Sequence, residues 1–397
     1  SEMCIRDRKR SNAPTMILSR AIFGVKGNLF PGLLSYLVFV GWETVLVAVA
    51  TLATGTILGR LGHFQENTSL ILGFFISVLF TVAGGVLGFR VVMRLQKWIS
   101  SITLIATFVF IALTFHQINW NTLAATKAGN FSALVGAIIF GMTGIGLGWV
   151  NSAADYSRYL PRATKNSSVI GWTVFGASLA PIVMVTYGAA LAGSSQELSQ
   201  SVANDPVGAL TTLLPTWFLA IFALVAILGL IGGAILDLYS SGLTLVSIGI
   251  PIKRHFAASI DALIMLLGTI YIVWFSRDFL IPFQGFLITI GVPLAAWSAI
   301  FVADVLFTDS YDEKALYDSD SIYGKVNWTS ISLMVGATSV GFGFVTNTFA
   351  TWLGWQGYFM DLIGGKDGGW AGANIGVLFA LIIGFIGRTV TLKVKKK

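Results

Sequence analysis

The chain has one cysteine, three histidines and few charges: 25 Lys or Arg and 18 Asp or Glu in 397 residues. With Cys4 alone there is no intrachain disulfide, no cysteine-ligated metal site and no sulfur redox chemistry. His63, His116 and His255 fall in short polar segments between apolar runs. No imidazole lies inside a run to hold a haem or metal or to relay a proton, and no cofactor is expected. Charged side chains are 11% of the sequence where a soluble domain carries roughly 25%, which argues against a soluble globular protein. The sequence shows no nucleotide-binding motif, soluble domain or low-complexity tail, so an ATP-driven pump would need another subunit.

What is present is hydrophobic: 55% of the residues, gathered between charge clusters into ten runs near 32–58, 69–89, 97–115, 132–153, 169–192, 216–250, 259–276, 279–306, 329–349 and 372–392. About 20 apolar residues cross a bilayer as a helix. Barrel strands would alternate in polarity, whereas LILGFFISVLFTVAGGVLGF is apolar all round. The reading is an all-α polytopic membrane protein surrounded by lipid. Lys and Arg divide 21 to 4 between alternate sides, the minority being Arg60, Lys127, Arg277 and Lys366. That bias puts both ends in the cytoplasm and the protein in the cytoplasmic membrane. It also explains the net charge of +7 without a nucleic-acid partner. The opening SEMCIRDRKR lacks the apolar core of a signal peptide, and residues 1–12 read as non-native or disordered.

Three features inside the runs do not fit a lipid-facing surface. In FGMTGIGLGWVNSAADYSRYLPR (140–162), Gly141, Gly144, Gly146 and Gly148 precede Trp149, Asn151, Ser152 and Asp155. Each glycine costs about 1 kcal/mol relative to alanine in a helix interior, so the spacing predicts a break of the kind that lines carrier sites. Close helix packing through small residues is the structural alternative. In GWETVLVAVATLATG (41–55), Trp42 and Glu43 stand some ten residues into a run. A charge facing lipid at that depth costs at least about 2.5 kcal/mol, so Glu43 needs a cavity or a partner unless it lies nearer the interface. In LVAILGLIGGAILDLYSSGLTLVSIG (224–249), Asp237 has no Lys or Arg within fifteen residues, and its charge must be met by another helix, a substrate, an ion or a proton. Arg158 and Arg162 read as interfacial anchors. The acids from Asp304 to Asp320 read as a solvated loop.

These same residues resemble the purine-cytosine permeases of nucleobase-cation symporter family one, which also includes allantoin and hydantoin carriers. The resemblance begins at NAPTMILSRAIFG (12–24) and runs through GWETVLVAVAT, GWVNSAADYSRYLPR, LDLYSSGLTL, AWSAIFVADVLF and the SYDEKALYD loop. It implies the LeuT-like inverted-repeat transporter fold, with ten of twelve helices present. Residues 13–397 would form a permease domain lacking its first helix and most of its second. It also implies a planar ring held between aromatic side chains, Trp42 on the family's third helix and Trp149 on its sixth. Substrate-binding residues are then Trp42, Glu43, Gly148, Trp149, Asn151 and Asp237.

Two positions depart from the family pattern. Leu46 replaces a polar residue one turn after the first tryptophan, and Asp237 replaces an asparagine on the eighth helix. A carboxylate accepts from ring N–H or amino groups, which favours cytosine or adenine over uracil. The hydroxyls that sodium-coupled relatives supply are replaced by Gly232, Gly233 and Ala234. The expected coupling ion is therefore a proton rather than sodium, bound by Asp237 and Glu43. The expected activity is symport of a nucleobase by alternating access; allantoin, hydantoin or a ring-containing vitamin is the alternative cargo. An intramembrane enzyme using Asp237 and Glu43 as an acid/base pair, or a non-functional truncated chain, are the rivals outside transport. Oligomeric state is not readable from the sequence.

Overall fold

Apolar runs in a medium without water must satisfy their own backbone, which makes helices the solution for each run. The computed structural model describes residues 13–86, 89–157, 160, 164–249, 254–276, 279–308 and 310–395. The segment 1–12 and the anchors Arg158 and Arg162 lie outside the described residues.

Among the described residues, ten principal helices follow the ten runs. They are α1 (Leu29–Gly62), α2 (Glu66–Val86), α3 (Phe89–Thr114), α4 (Phe131–Gly141), α5 (Asn166–Ser194), α6 (Thr216–Ile248), α7 (Arg254–Ile270), α8 (Leu280–Phe307), α9 (Trp328–Phe342) and α10 (Gly376–Lys395). No strand occurs among the described residues. Among the described residues, eight helical stretches are long and apolar enough to cross a membrane, and Ser259–Phe275 is a shorter apolar one. The run expected over 329–349 stops as a helix at Phe342. The chain beyond it passes through Gly343, whose added Cβ would meet Phe359 at 2.2 Å.

At 1.5 Å per residue, the 34 residues of α1 are about 51 Å long, well beyond a hydrocarbon core of about 30 Å. Its middle is nonetheless the packing axis for α2 and α6. Small residues permit the approach: a Cβ on Gly73 of α2 would sit 2.7 Å from the Thr51 carbonyl oxygen of α1. The second centre is α8, in which Gly291 through Phe301 are buried on every side, Pro293 included. α10 and α9 pack around it. By contrast α5 leaves Trp172, Phe175, Leu179 and Ile182 exposed, a stripe that suits lipid rather than water.

One end of the bundle is tied by polar groups. Thr15–Leu18 and Arg20–Phe23 form a buried hook. Within it, Thr15 N–H donates to Asp155 Oδ1 at 3.0 Å, and Ala154 N–H returns a bond to Thr15 Oγ1 at 3.0 Å. Arg20 donates to the carbonyls of Ser247 and Leu316, and Trp297 Nε1 donates to Ser19 Oγ at 3.0 Å. Gly24, at φ +85°, turns the chain where Lys325 and Val326 leave no room for a side chain.

Asp304 is not part of a solvated loop. It is 3% exposed and paired with Arg388 of α10, whose Nε donates to Asp304 Oδ1 at 2.9 Å and whose Nη1 donates to Ser330 Oγ at 3.0 Å. Tyr311 OH donates to the second carboxylate oxygen at 2.9 Å. Because the helix runs on to Phe307, Asp304 falls inside the bundle rather than after it.

Removing one member of such a pair leaves the other buried and charged. Arg388→Ala should cost about 3–5 kcal/mol, read as a fall in the thermal midpoint of the detergent-solubilised protein. A joint Asp304→Leu, Arg388→Met replacement should recover most of it. An unchanged midpoint in the single variant would show that the pair contributes nothing to stability.

Candidate functional site

Successive residues on a helix point about 100° apart, so Trp42 and Glu43 of α1 address different neighbours. Trp42 faces α8, edge-on to Phe283 at 5.6 Å and to Phe286 at 6.1 Å between ring centres. Phe283 stacks on Phe279 at 5.4 Å and meets Phe140 of α4 edge-on at 6.2 Å. Phe279, Phe283 and Phe286 lie four and three residues apart, one stripe of a helix. That periodicity was available in the sequence, and the reading of single motifs passed over it.

Gly148 lies against the same indole, and its added Cβ would sit 3.2 Å from Trp42 Nε1. The chain reaches this position through the expected discontinuity, which takes the form of a change in winding. α4 ends at Gly141, a π turn covers Met142–Gly146, a 3-10 segment covers Leu147–Ser152, and Ala153–Ser157 returns to α. Asn151 in the 3-10 segment is fully buried and donates from Nδ2 to Ser35 Oγ at 2.8 Å, while its Oδ1 has no partner. Trp149, in contrast, is 46% exposed and makes no ring contact among the described residues. Trp42 and Gly148 are thus brought together, and Trp149 is not packed onto Trp42.

Glu43 points the other way, toward α6 and α7. It is 0% exposed, and neither carboxylate oxygen has a hydrogen-bond partner. Asp261 and Asp237 are the charges in its electrostatic range, and the Ser241 hydroxyl is its polar neighbour. Asp237 is buried and makes no hydrogen bond or ion pair among the described residues. Asp261 of α7 is also fully buried, but its oxygens accept from Tyr36 OH and, at 2.7 Å, from Ser241 Oγ. Sequence reasoning found Glu43 and Asp237 and missed Asp261, because it stands so near the start of its apolar run that it reads as an interfacial residue. The glycines before Asp237 serve packing: added Cβ atoms on Gly232 and Gly233 would sit 2.7 Å from Gln96 Oε1 and 3.0 Å from Leu46 Cδ1.

Two sizeable cavities flank this region. One of about 450 Å³ lies between α4, α8 and the segment after α9, with Phe140, Thr143, Gln284 and Asn374 in its wall. Another of about 500 Å³ lies beside the far half of α1, with Thr56, Arg60, Asp205 and Phe279 in its wall. Neither includes Trp42, Trp149 or Asp237 in its lining. Three carboxylic acids on one side of α1 and an aromatic cluster on another can bind a cation or protons at the first and a flat ring at the second. No group of three or more metal-ligating side chains occurs among the described residues.

Residues 9–361 match a family described as permeases for cytosine/purines, uracil, thiamine and allantoin. The putative purine-cytosine permease YxlA of Bacillus subtilis (strain 168) is 27% identical over 365 residues, covering 90% of this chain and 76% of that protein. The purine-cytosine permease FCY2 of Saccharomyces cerevisiae (strain ATCC 204508 / S288c) is 26% identical over 404 residues, covering 95% and 71%. Among solved structures, one is Mhp1, a nucleobase-cation-symport-1 family transporter, closed with bromovinylhydantoin bound. It aligns at TM-score 0.67 and 16% identity over 99% of this chain and 82% of that one. The inward-facing conformation of Mhp1 gives TM-score 0.68 at 15% identity, covering 100% and 80%. The likeness shows the fold, the LeuT-like all-α architecture expected from the sequence.

A buried carboxylate without partners burdens stability. Glu43→Met should raise the thermal midpoint of the solubilised protein, by a stabilisation of about 1–3 kcal/mol. A fall would show that Glu43 is a structural group instead.

Proposed function

The chain belongs to the family of permeases for cytosine/purines, uracil, thiamine and allantoin, a multi-pass membrane transporter and not an enzyme, and we propose that it imports a nucleobase such as cytosine or a purine by proton symport. The distribution of basic residues supports a cytoplasmic-membrane location with the C-terminus in the cytoplasm. The observation that carries the reading is the juxtaposition on α1: Trp42 against Gly148 on one face, Glu43 in the field of Asp237 on the next.

The substrate ring is received beside Trp42, with Trp149, Gly148 and Asn151 completing the binding segment on α4 and after it. Gly148 leaves the face of the indole free of a side chain. Asp237 accepts from ring N–H or amino groups, the feature that favours cytosine and adenine. Coupling by protons rather than sodium fits the lining of α6, where Gly232, Gly233 and Ala234 bring no side-chain oxygen and abut Gln96 and Leu46 or the buried core. Alternating access then exposes the same groups to either side in turn. No bond of the substrate is made or broken.

Uptake of labelled cytosine into proteoliposomes, with adenine, uracil, allantoin and hydantoin as competitors, tests the substrate. Trp42→Ala and Trp149→Ala should each weaken cytosine binding by about 0.5–1.5 kcal/mol, a few-fold to about tenfold. Gly148→Ala should raise KM by crowding the indole. Asp237→Asn should flatten the pH dependence of uptake; a mutant that still responds steeply to acidification would remove Asp237 from coupling. Competition by allantoin or hydantoin but not by cytosine or purines would reassign the cargo.

A further inference from the structure

Of the three acids gathered between α1, α6 and α7, only Asp261 is hydrogen-bonded among the described residues, and both bonds come from hydroxyls. Tyr36 OH donates to Oδ1 and Ser241 Oγ donates to Oδ2 at 2.7 Å. The same Ser241 is the polar neighbour of Glu43, whose two oxygens are buried and unbonded. Tyr36 lies seven residues before Glu43 on α1, and Ser241 lies four after Asp237 on α6, so the bonded groups stand one to two turns nearer the same end of the bundle. That is the end where α1 begins, α6 finishes and α7 starts, and α7 carries Arg254 and His255 in its first turn.

The groups facing Asp261 are few. α1 contributes Tyr36 and Glu43. α6 contributes Asp237 and Ser241, with Tyr239 about 200° around the helix from Ser241. α2 holds one titratable residue, Glu66, in its first turn. Asp237 adds charge to the cluster but stands off the hydrogen-bonded line. Hydroxyls and carboxylates arranged from a buried acid toward one end of a membrane bundle are the form a proton path takes, and here Tyr36, Asp261 and Ser241 are already bonded.

We propose that Asp261 is the release group of the transport cycle, receiving the coupling proton from Glu43 through the Ser241 hydroxyl and passing it to water on the side where α7 begins. In that step the O–H bond of the Glu43 acid breaks as Ser241 Oγ takes the proton, and the proton of Ser241 moves to Asp261 Oδ2. Glu43 is left a carboxylate, Ser241 is unchanged and Asp261 is an acid. Asp261 then gives its proton to water, and the Tyr36 hydroxyl, which keeps its own, bonds the carboxylate that remains. The approach of Glu43 to Ser241 is the step not closed in this conformation, so a small movement of α1 against α6 governs release.

This path rests on the proton-coupled reading above, and the test separates the two. The full chain is reconstituted with a pH-sensitive dye inside the vesicles and supplied with labelled cytosine. Net uptake with its proton influx is compared with exchange of labelled for unlabelled cytosine, which needs no proton release. Ser241→Ala and Asp261→Asn should lower net proton-linked uptake at least about tenfold and leave exchange near the wild-type rate. Ser241→Thr, which restores a hydroxyl, should recover net uptake. Variants that keep the wild-type net rate and proton count overturn the path alone, as do variants that lose exchange together with net uptake. A wild-type chain that takes up cytosine without moving protons overturns the coupling reading, and the path with it.

Discussion

A polar group inside a lipid bilayer has no water to fall back on, and the organisation of this protein follows from how each such group is met. Backbone groups are met by helices, and arginine and aspartate at one end by each other. Arg388, Asp304, Ser330 and Tyr311 close a set in which the charges and hydroxyls find partners within the bundle. Glu43 stands in contrast to that set: complete burial, no bond to either oxygen, and two further acids in its field. Folding energy does not favour that arrangement. It is what a protein keeps when a group must take up and give up a charge.

Under the proposed function, α1 is a helix with two roles on adjacent faces. Through Trp42, α1 is joined to α8 and to the glycine segment after α4. Through Glu43 it is joined to α6 and α7. Substrate and ion sites so placed cannot be independent, because any tilt of α1 that alters the packing of the indole also changes the distance from Glu43 to Ser241. Coupling in this reading is a property of one rigid helix rather than of a chain of intermediate contacts.

The fold was legible because membrane helices announce themselves by length and apolarity, and the runs read from the sequence follow the principal helices, with α4 changing winding after Gly141 and α9 stopping at Phe342. The glycine cluster at 141–148 marked a real change of winding. Asp304 was misread because its burial depends on Arg388, 84 residues away, which no local pattern connects to it. Asp261 and Tyr36 were invisible for the same reason: each looks interfacial alone, and only packing shows that their side chains meet. Single-residue motifs therefore found two of the three acids, and long-range pairing supplied the third.

The buried hook formed by residues 15–23 bears on how the protein is made. Arg20 is bonded to the carbonyl of Leu316, 296 positions later in the chain. At about 5–20 residues per second, a ribosome needs roughly fifteen seconds to a minute to supply that partner. Through that interval the segment 15–23 lacks that partner for its cation. The hook thus acts as a latch that shuts only once the chain has been made as far as Leu316.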